Sequence, residues 1–230
     1  LIDGLCRSET PIFKNTPEMI REQIIKGIPP FDNIDVILVT HSHDDHFEAS
    51  SISWVLENNP NTIVISNTEV ISRIRVYVSV TEHNRLIQLD IEAGCTEKVR
   101  FNGMEVTAFS MRHDGEMYKH VNNLAYLIKC GMTVLSLGDA APIKDNFESL
   151  NLKQYGIDIL LANFPYAGLP SARRIVREYI SPERVFILHL PDKEYDEFNW
   201  ILSTKKSYDR TKESFLPTIF LEELGVTVML

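Results

Sequence analysis

Apolar runs and segments of helical periodicity alternate along this chain. Val36-Ile-Leu-Val-Thr40 is a continuous run of aliphatic and β-branched residues, and 62–66 is a second run of the same kind. Runs of this length and composition are typical of buried strands. Between them, apolar residues recur at helical spacing over 47–58 until Asn59-Pro60 ends the pattern. This alternation predicts an α/β fold in which helices cover a sheet.

The same patterns continue towards the carboxyl terminus. Strands are predicted over 97–101 and 104–109, and Asn102-Gly103 between them is a strong hairpin signal. A second hairpin, with strands at 124–129 and 133–137, is predicted around Cys130-Gly131. The other predicted strands cover 1–5, 86–89, 157–161, 185–188, 217–221 and 225–229, and the other predicted helices cover 17–26 after a Thr16 cap, 68–75, 147–154, 171–180 and 196–206.

Composition and charge limit the class of protein. With 230 residues and 44% hydrophobic content, the chain is large enough to enclose a core, and we expect one domain over residues 1–230. The formal net charge of −9 provides no basic field for a phosphodiester backbone, so a small-molecule substrate is favoured over nucleic acid. We expect the arginines of the predicted helix over 171–180 to form a solvated face: Arg173, Arg174 and Arg177.

The cysteines and the hydropathy exclude further classes. Cys6, Cys95 and Cys130 are odd in number and have no CxxC spacing, which indicates neither a disulfide framework nor a cysteine zinc site. No apolar run approaches the roughly 18 residues that a membrane span needs. We therefore expect a cytoplasmic protein by default. Secretion is the alternative, because a targeting segment could precede Leu1. No sequence feature indicates an oligomeric state.

A cluster of side chains that can bind metal follows the apolar run that ends at Thr40. The segment His41-Ser-His43-Asp-Asp45-His46 places three histidines and two aspartates at the predicted carboxyl end of a buried strand. Imidazole nitrogen and carboxylate oxygen are ligands that suit zinc. A turn there can direct His41 and His43 to one ion while Asp45 and His46 serve a second. The alternative, a solvated polar loop, explains the position less well.

This arrangement resembles the His-x-His-x-Asp-His motif of the metallo-β-lactamase superfamily. Later positions match the family pattern in order: Asp3 in Leu-Ile-Asp-Gly, His113 in Met-Arg-His-Asp, Asp139 in Leu-Gly-Asp and His189 in Ile-Leu-His-Leu. The resemblance is closest to the broad hydrolase branch that includes ascorbate-6-phosphate lactonase-like proteins. It implies a four-layer αββα sandwich, whose first amino-terminal hairpin we expect upstream of Leu1.

The resemblance also implies a set of ligands. His41, His43 and His113 would bind one divalent ion, Asp45, His46 and His189 a second, and Asp139 would bridge the two. Asp3 would support the ligands by hydrogen bonding. Zn²⁺ is favoured, and Mn²⁺ or iron fits the same donors. A bridging hydroxide would be the nucleophile, with Asp45 and Asp139 as the catalytic carboxylates.

The predicted activity is metal-dependent hydrolysis of an ester, lactone, amide or phosphoester bond. Tyr118, His120 and Tyr166 lie in polar or loop-like segments that we expect to line the pocket and contact the substrate. Three alternatives stay open: a nuclease or phosphodiesterase of the same superfamily, a di-iron oxidoreductase on the same ligands, and a non-catalytic protein that binds metal.

Overall fold

The computed structural model describes residues 1–225 and 227–228, and this part of the chain forms two compact units. The first unit comprises residues 1–10 and 14–91. The second comprises residues 11–13 and the chain from residue 92 onwards. A single domain over residues 1–230 stays a prediction.

The first unit is built on a parallel sheet. Its described strands lie in the order β1-β2-β3, with Val36 paired to Ile63 and Val64 paired to Leu86. Parallel neighbours need a crossover connection, and helices supply both crossovers here. The elements are β1 (Val36–Leu38), β2 (Ile63–Asn67), β3 (Leu86–Leu89), α1 (Glu18–Lys26), α2 (Ala49–Asn58) and α3 (Thr68–Arg75).

Helices bury the apolar residues that the sequence pattern singles out in the first unit. Ile52 and Val55 of α2 and Ile71 of α3 are all fully buried in one cluster with the strands. Every residue of β1 and β2 is buried, which explains why these strands are continuous apolar runs rather than alternating ones.

Two details of the first unit differ from expectation. The strand predicted over 1–5 is wrong: these described residues make two isolated bridges, Ile2 with Leu38 and Leu5 with Phe47. Thr16 does not cap α1, because its hydroxyl donates to the Gly4 carbonyl (3.0 Å) instead. The predicted stop at Gly27 is confirmed, since Gly27 takes the left-handed conformation (φ 59°) that closes the last turn.

The second unit contains a mixed sheet. In the described residues its strands lie in the order β10-β9-β8-β7-β6-β5-β4, antiparallel from β4 to β7 and parallel from β7 to β10. The strands are β4 (Thr96–Phe101), β5 (Met104–Arg112), β6 (Asn122–Cys130), β7 (Met132–Ser136), β8 (Ile159–Asn163), β9 (Arg184–Leu188) and β10 (Thr218–Phe220). The helices are α4 (Pro165–Gly168), α5 (Pro170–Ile175), which a π-helical turn at Val176–Ile180 continues, and α6 (Trp200–Asp209).

Both predicted hairpins are confirmed. Asn102 (φ 47°) and Gly103 (φ 79°) both adopt positive φ in the turn between β4 and β5, as a two-residue hairpin loop requires. The second hairpin joins β6 and β7 at Gly131. Leu127 of β6 and Leu135 of β7 pair across it and are fully buried in the core.

Two predictions in the second unit need correction, and a third falls partly outside the described residues. The helix predicted over 147–154 is wrong: 3₁₀ turns cover Lys144–Asn146 and Leu152–Tyr155, and Asn151 (φ 45°) interrupts the periodicity between them. Arg173 is buried rather than solvated, and its guanidinium donates to the Ala167 carbonyl and the Ser207 hydroxyl. The strand predicted over 225–229 includes positions 226 and 229, which lie outside the described residues.

Among the described residues, every helix is too short or too polar to cross a bilayer.

Leu127→Ala should lower the free energy of unfolding by about 2–5 kcal/mol, because Leu127 is fully buried and its removal leaves a cavity. Urea unfolding followed by circular dichroism measures the change. Glu97→Ala on the exposed strand β4 is the control and should shift stability by no more than about 0.5 kcal/mol. Equal midpoints for Leu127→Ala and Glu97→Ala would contradict the assigned core.

Candidate metal centre

The histidine cluster lies on a short turn just after the end of β1. The backbone N–H groups of His46 and Phe47 both donate to the His43 carbonyl (3.0 and 3.2 Å), which closes the turn. His41 and His46 are buried, while His43 and Asp45 are partly exposed. The turn therefore holds ligand-type side chains at the carboxyl end of a buried strand, as the sequence predicts.

The side chains of this cluster face one another. His41 Nε2 lies 3.0 Å from His43 Nδ1, and the ring centroids of His41 and His46 are 4.0 Å apart. A carboxylate oxygen of Asp45 and a ring nitrogen of His46 lie within 4.8 Å of each other. Imidazole nitrogens at this separation can share a proton or bind one cation.

Asp3 positions His46, one member of the cluster, by hydrogen bonding. Its carboxylate accepts hydrogen bonds from the Thr40 backbone N–H (2.8 Å), the Thr40 hydroxyl (2.7 Å) and His46 Nδ1 (2.9 Å). A carboxylate that accepts a hydrogen bond from Nδ1 fixes the tautomer and the orientation of the imidazole. Asp3 thus sets both the position of the strand end and the orientation of His46.

Arg73, which the sequence pattern did not single out, braces the same turn. From the last turn of α3 its guanidinium donates to the Ser42 carbonyl and to Asp44 Oδ1 (2.9 Å). It also lies over the Phe47 ring, 4.5 Å from the centroid. The contact joins positions 31 residues apart, so local periodicity carries no signal for it.

The remote residues emerge at one edge of the sheet in the second unit. His113 follows β5, Asp139 follows β7 by three residues and His189 follows β9. Because β5 and β7 are both antiparallel to β6, they run in the same direction, and β9 is parallel to them through β8. Their carboxyl ends therefore meet at the same edge.

Asp139 lies between the two histidines. Its Oδ2 atom is 3.6 Å from His113 Nε2 and 3.8 Å from His189 Nε2. His113 donates through Nδ1 to the Asp114 carbonyl, which directs Nε2 towards Asp139. His189 has a left-handed backbone (φ 51°), a strained conformation for a non-glycine residue and one that clusters at functional sites. The structure thus brings together three predicted residues that are spread over 77 positions of the sequence.

The predicted substrate contacts lie in different environments. Tyr118 is exposed, with its ring centroid 5.3 Å from that of His113, and His120 is exposed on the same segment. Tyr166 departs from the expected pocket wall: it is fully buried, and its hydroxyl donates to the Ala140 carbonyl (3.0 Å). Through this hydrogen bond Tyr166 supports the backbone immediately after Asp139.

The fold is mixed α/β, and its histidines and aspartates form groups that could hold a metal ion. The profile of a family described as "Beta-lactamase superfamily domain" matches residues 14–165. The chain belongs to this family, and it is an enzyme of the metallo-β-lactamase superfamily. The resemblance stated from the sequence and the α/β fold class are both confirmed. No curated protein sequence matches the chain.

Solved structures support the fold. A possible metal-dependent hydrolase from Veillonella parvula has a TM-score of 0.64 at 14% identity, with 96% of this chain and 90% of that chain covered. A protein described as a metal-dependent hydrolase from Parabacteroides distasonis has a TM-score of 0.57 at 20% identity, covering 82% and 76%. CmlA, a diiron β-hydroxylase from Streptomyces venezuelae, has a TM-score of 0.54 at 15% identity, and the match covers 83% of this chain but only 44% of CmlA.

Tyr166→Phe should change how stability depends on alkaline pH. Burial raises the pKa of Tyr166 well above its ordinary value of about 10, and Asp114 and Asp139 raise it further. Folding favours the protonated phenol. The contribution of Tyr166 to the free energy of unfolding is therefore complete below pH 10 and is lost as the pH rises from the unfolded-state pKa towards the raised folded-state pKa. Wild-type stability should therefore fall above about pH 10, by up to about 1.4 kcal/mol per pH unit from this group.

Urea midpoints at pH 9, 10 and 11 measure this dependence. Tyr166→Phe should be less stable than wild type at pH 9, by about 1–3 kcal/mol, because the buried Ala140 carbonyl loses its donor. The difference should narrow at pH 11. Tyr77→Phe, at an exposed tyrosine, is the control and should keep the wild-type profile. A constant difference between Tyr166→Phe and wild type across these pH values would contradict the assignment.

Proposed function

We propose that the two sets of side chains form one dinuclear metal centre that hydrolyses a small-molecule substrate. The first set is the cluster on the turn after β1: His41, His43, Asp45 and His46. The second set lies at the sheet edge of the second unit: His113, Asp139 and His189. The observation that carries the proposal is the position of Asp139, 3.6 Å from His113 and 3.8 Å from His189.

The donor chemistry fits a pair of divalent ions. Burying several imidazoles beside carboxylates is costly unless their polar atoms are compensated, and a divalent cation satisfies both kinds of group. Neutral imidazole nitrogen and ionised carboxylate oxygen are the ligand forms that Zn²⁺ accepts. His46 donates through Nδ1 to Asp3 and His113 donates through Nδ1 to the Asp114 carbonyl, and these bonds fix the tautomer and the ring orientation of both histidines, with Nε2 as the proposed ligand atom.

We assign His41, His43 and His113 to one ion and Asp45, His46 and His189 to the other. Asp139 is assigned as the bridge. The geometry within the second unit supports this division, because one oxygen of Asp139 lies within 4 Å of both His113 and His189. A carboxylate between histidines of different ions is the position a bridging ligand needs.

When bound, the two ions would supply a solvent hydroxide at neutral pH and polarise the substrate oxygen. The protein's own groups would orient these participants. Asp45 is partly exposed and would orient the attacking solvent molecule by hydrogen bonding. Asp3 keeps His46 fixed, so the ligand set needs little reorganisation during the reaction.

The substrate we propose is a small molecule with an ester, lactone, amide or phosphoester bond. Tyr118 and His120 are exposed on the segment that follows His113, where they can contact it or transfer a proton. A net charge of −9 disfavours polyanionic nucleic acid.

A di-iron oxidoreductase is the second candidate. It is favoured by the likeness of the fold to CmlA, a diiron β-hydroxylase. Histidine and carboxylate ligands accept iron as well as zinc, so the metal that the protein retains separates the two candidates. This chain spans only 44% of CmlA, so the likeness bears on the shared fold and not on the whole of that enzyme.

Protein purified without added metal should contain close to two equivalents of divalent ion, and a chelator should abolish hydrolysis in a panel of esters, lactones and phosphoesters. His41→Ala and Asp139→Asn should each lower metal content and reduce kcat/KM by more than about 100-fold, because each loses a direct ligand. Elemental analysis and the panel measure both effects.

His83→Ala is the matched control, because it removes a histidine outside the proposed ligand set. It should retain wild-type metal content and turnover. Unchanged metal content in His41→Ala would rule out the proposed centre. Iron with a visible absorption band and oxygen-dependent turnover would select the second candidate instead.

A further inference from the structure

Side chains from two other elements form hydrogen bonds to the turn that carries Asp139. This turn, residues 137–141, leaves the end of β7 and has a left-handed residue at Gly138 (φ 55°). Four of its five residues are buried, so most of its backbone polar groups need a partner inside the protein. Two buried asparagines, Asn123 and Asn146, supply several of these partners.

Asn123 bonds to the turn on both sides of Gly138. It is fully buried at the start of β6, its Nδ2 donates to the Leu137 carbonyl (3.0 Å), and its Oδ1 accepts from the Asp139 backbone N–H (3.0 Å). A single amide group thereby fixes the backbone immediately before Asp139 and the backbone of Asp139 itself.

Asn146 ties the same turn to the strand that ends at His113. Its Oδ1 accepts from the Arg112 N–H (2.8 Å), and its Nδ2 donates to the carbonyls of Arg112 (3.0 Å) and Ala141 (2.9 Å). The Asp114 N–H also donates to the Asp139 carbonyl (2.7 Å). The residues on each side of His113 are therefore bonded to the turn that bears Asp139.

We propose that Asn123 and Asn146 are positioning residues that set the distance between His113 and Asp139 for metal binding. The inference rests on the proposed function. Asn123 bonds to the backbone of Asp139 and Asn146 bonds to the residue before His113, and neither asparagine belongs to the proposed ligand set. Without them the turn would reorganise around unpaired backbone groups, and the carboxylate would leave the position between the two histidines.

A fold-stabilising role alone predicts a different result, and the two can be separated. Asn123→Leu and Asn146→Leu remove the hydrogen bonds with little change in side-chain size. Leu127→Ala is the control: it lies four residues from Asn123 on the same strand, is fully buried, and pairs with Leu135 rather than with the Asp139 turn. It should lower stability without removing the hydrogen bonds to residues 137–141.

The measurements are Zn²⁺ affinity by competition with a chromophoric chelator, the visible spectrum of the Co²⁺-substituted protein, and urea unfolding without metal. Asn123→Leu and Asn146→Leu should weaken the affinity for at least one ion by about 10–100-fold and alter the Co²⁺ bands. Leu127→Ala should keep the wild-type affinity and spectrum despite its lower stability.

Wild-type affinity and spectrum in both asparagine variants would overturn the proposal while leaving the proposed function intact. An equal loss of affinity in Leu127→Ala would also overturn it, because general destabilisation would then explain the effect. A wild-type protein that binds neither Zn²⁺ nor Co²⁺ would refute the proposed function itself, and the positioning role with it. If Asn123→Leu does not fold, Asn123→Ser replaces it, because the shorter hydroxyl cannot bond both Leu137 and Asp139.

Discussion

One carboxylate between two histidines, one buried and one partly buried, is the feature on which the candidate centre depends. Asp139 can lie within 4 Å of both His113 and His189 only because three strand ends meet at one edge of the sheet. The common direction of β5, β7 and β9 produces that meeting. Close imidazoles and a carboxylate with little access to water are stable together when a cation or a shared proton compensates them.

Hydrogen bonding supports the ligand-type residues in both units by the same principle. In the first unit, Asp3 accepts from Thr40 and His46, and Arg73 braces the turn at Ser42. In the second unit, Asn123 and Asn146 satisfy backbone groups beside Asp139 and His113. Groups held in this way need no costly rearrangement when a ligand binds, and that preorganisation is what metal affinity and catalysis require.

Membership of the β-lactamase superfamily domain family and the fold limit the chemistry without naming a substrate. The same donor atoms suit hydrolysis with zinc and oxygen chemistry with iron, so the ligands alone do not choose the reaction. In our proposal the choice lies in the retained metal and in exposed residues such as Tyr118 and His120.

The sequence by itself determined the local features. Six consecutive residues carry the histidine cluster, a continuous apolar run marks β1, and Asn102-Gly103 specifies its hairpin, because each of these depends on neighbouring residues. The remote members of the proposed ligand set, His113, Asp139 and His189, followed from their order in the family that the sequence resembles.

Only the tertiary structure decided the supporting contacts. Asn123 meets Asp139 from 16 residues away, and Asn146 meets Arg112 from 34 residues away, distances at which periodicity carries no information. The burial of Arg173 and Tyr166 also depends on which elements pack around them. Hydrogen bonds between distant segments form only after the strands have been brought together, so a local pattern cannot specify them.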